Sequence, residues 1–342
     1  MNKDYAHVQR CTKCILSENF PRIKFDDSGV CNFCNNQLLY TTEDDNIKIA
    51  QVEIDALFRN IDKQASDYDA IVCYSGGKDS TYTLKLAIEK YKLRVLSFTL
   101  DNGFISPTAF RNIEKVVSKL GVDHFTYRPS YNFMKGLYRV SSLETLYTKQ
   151  SLTRISANCN SCISIVNMVA LKTALEKNIP FILAGFTLGQ IPANTIYYKN
   201  NYEFLLDSRK PVLDKLKNTI GENVRRYLEL PESLQNNNYP YTINILSLEK
   251  ITENEIVEQI LPLGWQKPKD VDGCSTNCTL NAFNNYVHIK RHGYSPYELE
   301  LSHLIRKELL SREEGLEKLF DQPKDQIEFA KQEFKIDDEM LK

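Results

Sequence analysis

The middle of the chain alternates short apolar runs with stretches of helical spacing. Residues 68–74 form an apolar run of strand length, and 80–91 repeat their apolar positions at helical intervals. A second strand is predicted over 93–100, ending at the turn signal Asp101-Asn102-Gly103. Ser106-Pro107 has the form of an N-cap followed by proline in the first helical position, opening a helix to Leu120. A third strand is predicted over 122–127, a helix over 163–176 and a fourth strand over 180–186. Strands alternating with helices in this way predict an α/β fold, a doubly wound parallel sheet.

The flanks read differently. Residues 1–40 have little apolar periodicity, and helical spacing over 46–66 links them to the core. Beyond about 195 the pattern weakens: 205–260 mix Lys, Arg, Asn and Tyr, with a loop at Gln235-Asn236-Asn237-Asn238. Residues 280–342 are helix-rich, and Ser311-Arg312-Glu313-Glu314 has the form of a capping box.

Composition narrows the class. The 342 residues are 42% hydrophobic and 25% charged, an ordinary globular balance, and the net charge of −1 excludes a surface built wholly for nucleic acid but not a local basic groove. No segment approaches the roughly 18 apolar residues of a membrane span. No apolar signal core follows Met1-Asn2-Lys3-Asp4-Tyr5. The expectation is a cytoplasmic protein without a membrane partner, whose nine cysteines serve metal ligation or thiol chemistry rather than disulfides.

Ile71-Val72-Cys73-Tyr74 leads directly into Ser75-Gly76-Gly77-Lys78-Asp79-Ser80 and then a helix. A strand, a glycine turn and a helix start make an anion site, because the glycines let backbone approach phosphate oxygens and the helix N-terminus points N–H groups at them. Ser75 and Ser80 supply hydroxyl donors and Lys78 a full charge, whereas Asp79 suits a magnesium contact or bracing of the loop. The Walker loop needs four residues between its first glycine and Gly-Lys, so this is a different phosphate loop.

Cys11, Cys14, Cys31 and Cys34 make C-x2-C-x16-C-x2-C, a spacing that suits a closed tetrahedral zinc site. Cys159-x-x-Cys162 and Cys274-x3-Cys278 lie more than a hundred residues apart. If the fold joins them, an iron–sulfur cluster, a second zinc and a persulfide-handling pair all remain open, beside plain buried thiols. Cys73 and His124, both in strands, read as core residues. His288, Lys290, Arg291 and His292 form one cationic group, and Arg209, Lys210, Lys215, Lys217, Arg225 and Arg226 a second, each a phosphate-contacting surface or an ordinary solvated face.

The loop at 75–80 resembles the PP-loop of ATP pyrophosphatases. That resemblance implies that an acceptor oxygen attacks the α-phosphorus of ATP, pyrophosphate leaves, and nitrogen or sulfur then displaces AMP. It places adenine near Phe98-Thr99-Leu100-Asp101, making Asp101 a candidate nucleotide contact. The Gly-His-x-x-Asp-Asp stretch of many relatives corresponds to Gly185-Phe186-Thr187-Leu188-Gly189-Gln190, without histidine or acid. Together with Cys11-Thr12-Lys13-Cys14, the segment 20–34 and Cys159-Asn160-Ser161-Cys162, the loop resembles N-acetyl sugar amidotransferases over about residues 10–190. The same parts resemble PP-loop thiolation enzymes, and Cys274 and Cys278 favour that rival.

The resemblance implies ATP, Mg2+ and Zn2+ as cofactors, with or without an iron–sulfur cluster. The candidate catalytic set is Lys78, Asp79, Cys159 and Cys162. The first reading is replacement of an acetamido oxygen by nitrogen, which implies a separate glutaminase. The alternative is sulfur transfer to a tRNA base or a small amide, with a sulfur donor as partner. The expected division is a zinc ribbon at 1–45, an ATP-binding domain at 46–200 and a C-terminal substrate or partner region at 201–342.

Overall fold

The computed structural model describes residues 3–235 and 237–341. Met1 and Asn2 of the N-terminal segment, and Asn236 of the loop expected at 235–238, lie outside the described residues. Six strands form one sheet: β1 (Ala70–Cys73), β2 (Val95–Leu100), β3 (Asp123–Tyr127), β4 (Phe181–Leu183), β5 (Tyr197–Lys199) and β6 (Tyr241–Ile243). Their order is β3-β2-β1-β4-β6-β5. All neighbours are parallel except β5, which pairs antiparallel to β6 at the edge.

Residue alternation along β1 explains why the sheet is covered on both faces. Ile71, with Leu96 and Phe98 of β2, packs against Ile165 and Val169 of the Ala157–Glu176 helix. Ala70 and Val72 point the other way, toward Leu84, Ala87, Ile113 and Val116. Those residues come from the segments after β1 and β2, including the Pro107–Leu120 helix, whose N-cap Ser106 accepts from Thr108 N–H as expected. The connections therefore change face between β1 and β4, which opens a crevice at the carboxyl ends of those two strands. The four strands read from the sequence are all present, and the sheet continues past residue 200 through β6.

The Ala157–Glu176 helix begins six residues earlier than its apolar spacing predicts, because Ser156 caps it by accepting from Cys159 N–H at 3.2 Å. Cys159 and Cys162 consequently sit on one face of its first two turns instead of in a preceding loop. The C-terminal region is helical at Asn281–His292, Glu298–Arg306, Arg312–Phe320 and Lys324–Phe334, and Ser311 and Glu314 form the expected capping box. Among the described residues no helix is long and apolar enough to cross a membrane.

The N-terminal module brings Cys11, Cys14, Cys31 and Cys34 together, with all four sulfurs within 4.8 Å of one another. Two edges of that set measure 3.8 Å (Cys11–Cys34) and 3.7 Å (Cys14–Cys31). A tetrahedron of thiolates bonded at zinc's usual length has edges of about 3.8 Å, so the donor set fits such an ion. The module packs on Tyr294 and Leu299 of the C-terminal region. Glu298 pins it there: its carboxylate accepts from Tyr5 Oη (2.6 Å), Ser17 N (2.9 Å), Ser17 Oγ (2.8 Å) and Arg10 Nη1 (3.3 Å). Arg312 completes the contact by donating to the carbonyls of Cys14 and Cys11.

Glu298 is fully buried and Arg10 nearly so, and removing one partner of a buried ion pair leaves the other charge uncompensated. Glu298→Gln is therefore expected to destabilise the protein by about 3 kcal/mol, read as a fall in the thermal midpoint. An unchanged midpoint would show that the two ends of the chain are not held by this carboxylate.

Candidate active site

The turn after β1 is shaped by what cannot fit around it. Gly76 has φ +75°, and a Cβ there would stand 2.4 Å from the Ala109 carbonyl oxygen. Its own carbonyl accepts from Trp265 Nε1 at 3.0 Å and from Asn112 Nδ2 at 3.4 Å. Gly77 ends the turn as N-cap of the Lys78–Lys85 helix, and the hydroxyls of Ser75 and Ser80 meet across it at 3.0 Å. A loop from far along the chain closes over this helix start: Thr276 Oγ1 accepts from Lys78 N–H at 3.0 Å. A Cβ on Gly77 would lie 2.9 Å from the same hydroxyl. Backbone and hydroxyl donors thus converge where phosphate oxygens are held at a helix N-terminus.

Acidic groups surround the Lys78 ammonium. Nζ lies 2.7 Å from Asp79 Oδ1 and 3.8 Å from Glu253 Oε2, and Glu253 also receives Lys318 at 2.9 Å. Burial pulls Lys78 down, but the carboxylates of Asp79, Glu253 and Glu300 outweigh it and hold the pKa above its ordinary value. Glu300 is pushed up to about 7 by burial and by the charge of Asp79, against the pull of Lys78. Asp272 is pushed up to about 6 by burial; its Oδ1 accepts from Cys274 N–H and Asn281 Nδ2, while its Oδ2 has no hydrogen-bond partner among the described residues. Glu253, Glu300 and Asp272 come from isolated positions with no motif around them, and residue spacing gave no signal for them. Thr187, in the Gly185–Gln190 stretch that lacks an acid of its own, donates to Glu300 at 3.4 Å.

The same cavity, about 1180 Å³, extends from this loop to the second cysteine group. Cys162 and Cys278 share one donor: Asn102 Nδ2 lies 3.7 Å from the first sulfur and 3.8 Å from the second. Cys159 receives Asn284 Nδ2 at 3.3 Å. Burial raises all three thiols, Cys159 to about 11 and Cys278 to about 12, so a bound cation is needed to hold them as thiolates at neutral pH. The buried Tyr138 hydroxyl lies beside Cys162 and within electrostatic reach of Cys159 and Cys278. Cys278 is carried there because its loop is stitched to the turn after β2, with Thr279 N–H bonded to the Phe104 carbonyl at 2.9 Å and Ser106 N–H to that of Asn277 at 2.8 Å.

Three sequence expectations are corrected. Asp101 does not line the cavity; its carboxylate accepts from Gly103 N–H at 3.0 Å and pairs with Arg128, bracing the turn, and its neighbour Asn102 faces the cavity instead. Cys274 does not join the other three thiols: its sulfur meets the Lys318 carbonyl at 3.4 Å, on the acidic side of the cavity. The cationic group at 288–292 is not one exposed face. His288 is buried against His292 and Tyr294, Lys290 pairs with Asp338, and Arg291 is bound to the carbonyls of Ser142 and Glu144. In the second basic group, Lys217 and Arg225 pair with Glu229. Asn158 and Ser161 turn away from the thiols and bond Ser142 and Ser141, gluing two helices. His124 is bonded to Ser97 at 2.9 Å, as a core residue.

Residues 69–186, which carry β1 to β4 and the phosphate turn, match the phosphoadenosine phosphosulfate reductase domain. They form a PP-loop domain. The chain is 23% identical over 312 residues to the uncharacterized protein MJ1599 of Methanocaldococcus jannaschii, covering 91% of this chain and 92% of that protein. A solved structure, the U34-tRNA thiolase NcsA of Methanococcus maripaludis with its 4Fe-4S cluster, aligns over 88% of this chain and 86% of that one at 16% identity, with a TM-score of 0.36. The domain match supports an enzyme of the PP-loop superfamily.

Glu300 gives the site a pH signature. Its folded pKa of about 7 exceeds the ordinary 4.5, so the folded protein holds a proton that the unfolded chain has released between those values, and stability falls as pH rises through that window. Glu300→Gln is expected to flatten this fall, gaining on the order of 2 kcal/mol at pH 8. Thermal midpoints of both proteins without nucleotide between pH 5 and 8 check it; parallel curves would refute the assignment.

Proposed function

We propose that this enzyme adenylates an acceptor carbonyl oxygen and replaces that oxygen with sulfur. The observation that carries the reading is the gathering of Cys159, Cys162 and Cys278 on the wall of the cavity that also holds the PP-loop. Nitrogen transfer has no use for a third cysteine brought in by a C-terminal loop, which is why sulfur is preferred to the amidotransferase reading.

Residues of this chain account for the first half-reaction. The amides of the turn, Ser75, Ser80 and Lys78 would hold the β- and γ-phosphates, and Asp79 with Glu253 or Glu300 would hold magnesium, which neutralises phosphate charge. The acceptor oxygen attacks the α-phosphorus and pyrophosphate departs along the turn. A sulfide-level nucleophile then adds to the activated carbon, and AMP leaves with the original oxygen, so C=O becomes C=S. Thr276 hands its place on the Lys78 amide to a phosphate oxygen, or stays as a further donor to it.

The three thiols fit an iron–sulfur cluster with three protein ligands. Their sulfurs are spread more widely than a single-ion set, since only the N-terminal four meet a 4.8 Å limit among the described residues. Asn102, Asn284 and the Tyr138 hydroxyl offer donors for cluster sulfurs. Such a cluster would supply iron for holding the sulfur nucleophile. Zinc at the N-terminal four cysteines then has a purely structural part.

Protein purified without air is expected to be brown and to contain iron and acid-labile sulfide beside zinc. Cys278→Ser should lose the iron and keep the zinc, while Lys78→Ala should keep both metals and lower AMP formation by about 10²–10³-fold. Thiolated product from an acceptor amide, supplied as an unmodified tRNA or an acetamido sugar, completes the test. Zinc alone, with ammonia-dependent AMP release from an acetamido sugar, would overturn sulfur in favour of nitrogen.

A further inference from the structure

With Arg306, whose Nε and Nη1 are also without partners among the described residues, Arg209 stands apart from the other buried or half-buried arginines. Arg94 and Arg10 have carboxylate partners, and Arg139, Arg154, Arg291 and Arg312 are bound by backbone carbonyls. The guanidinium of Arg209, on the Tyr202–Ile220 helix, makes one hydrogen bond among the described residues, to the Met168 thioether sulfur at 3.7 Å. Thioether sulfur is a weak acceptor. Burial lowers its pKa and only the Tyr198 phenol opposes that, so no carboxylate acts on it among the described residues. An enclosed cation without an oxygen partner costs stability, and guanidinium is built to grip a carboxylate or a phosphate through two parallel bonds.

Its surroundings point to where such a group would come from. Arg209 lines a side cavity of about 290 Å³ that shares Asn167, Tyr198 and Thr242 with the main cavity. Asn160, Ser164 and Asn167 line the same space. They follow the i, i+4, i+7 spacing of one helical face, on the helix whose first two turns hold Cys159 and Cys162. The side-chain amides of Asn160 and Asn167 make no hydrogen bond within the protein among the described residues. Cys162 and Asn167 are separated by roughly 7 Å along the helix axis. The Tyr198 phenol is within electrostatic reach of both Arg209 and Cys73, at the end of β1. One helix therefore spans the distance from the thiols to an unanswered cation, over the length of a small molecule.

We propose that Arg209, with Asn160 and Asn167, binds one anionic group, a carboxylate or a phosphate, of a small-molecule acceptor whose reacting carbonyl lies in the main cavity. This rests on the main cavity being the adenylating site, and it names the acceptor's charge whether sulfur or nitrogen is delivered.

The test fills the PP-loop first, with magnesium and a non-hydrolysable ATP analogue, so that added anions do not report on it. Inorganic phosphate and acetate are then titrated against the thermal midpoint of the full chain. One of them is expected to raise the wild-type midpoint by several degrees, and the effective one distinguishes phosphate from carboxylate. Arg209→Met should weaken that response about tenfold or more, while raising the midpoint measured without anion, because it deletes an unpaired enclosed charge. Arg209→Lys, which keeps the charge and loses the fork, should fall between. The proposal is overturned by a wild type that responds to neither anion, or by a methionine variant that responds equally or has a lower midpoint without anion. If the methionine variant does not fold, an undiminished response in the lysine variant overturns it. A single-stranded oligoribonucleotide that acts at lower concentration than phosphate would overturn the small-molecule assignment. Retained binding of the ATP analogue by Arg209→Met separates failure here from failure of the adenylation reading.

Discussion

A single hydroxyl group joins the two halves of this enzyme at its most sensitive point. Thr276 sits on the first free amide of the helix that follows the phosphate turn, 198 residues after the lysine it touches. The contact is possible only because Gly77 has no side chain, and Trp265 and Asn112 hold the neighbouring Gly76 carbonyl from behind. Two residues beyond Thr276 is Cys278. The loop that covers the phosphate position is thus the loop that completes the thiol group, and neither can be placed without the other. Any group competing for the Lys78 amide pushes directly on the element that carries Cys278.

Charge in the cavity follows the same economy of position. Lys78 is enclosed, yet the carboxylates of Asp79 and Glu253 keep it cationic, while Glu300 beside them keeps its own proton up to about neutrality. Beside them Asp272 has an unsatisfied oxygen and the three thiols stay protonated through burial. Each of these groups is held in a state that a metal ion or a polyanion would relieve. A site organised for binding is costly before it binds, and the surrounding core pays that cost.

How much of this was legible depended on whether a feature was local. The four parallel core strands, the Ser106 cap, the 311–314 capping box and the phosphate turn are written in adjacent residues, and periodicity or turn chemistry finds them. The paired spacing of Cys11, Cys14, Cys31 and Cys34 is almost as local. β5 and β6 are three residues each and lie in a stretch of mixed polarity, so no period of two is long enough to register. The acids around Lys78 and the partners of the thiols escape for a different reason. Glu253, Thr276, Asn102 and Asn284 acquire their roles only through tertiary contacts across the cavity, and Asp101 loses the role its position suggests because Arg128 takes its carboxylate. Cys159, Cys162, Cys274 and Cys278 read as a set of four, but the chain path sends Cys274 to Lys318 and leaves three.

The docking of the first residues on Glu298 has a consequence for how the protein is made. Ser17 meets its partner 281 residues later, which at ordinary elongation rates of roughly 5–20 residues per second leaves the leading segment waiting about 14 to 56 s on the ribosome. Its small apolar cluster of Leu16, Phe20 and Val30 has no Tyr294 or Leu299 to lie against during that interval. Metal capture by the four cysteines needs no distant partner, so it is the one event that can give the nascent segment a shape before translation ends.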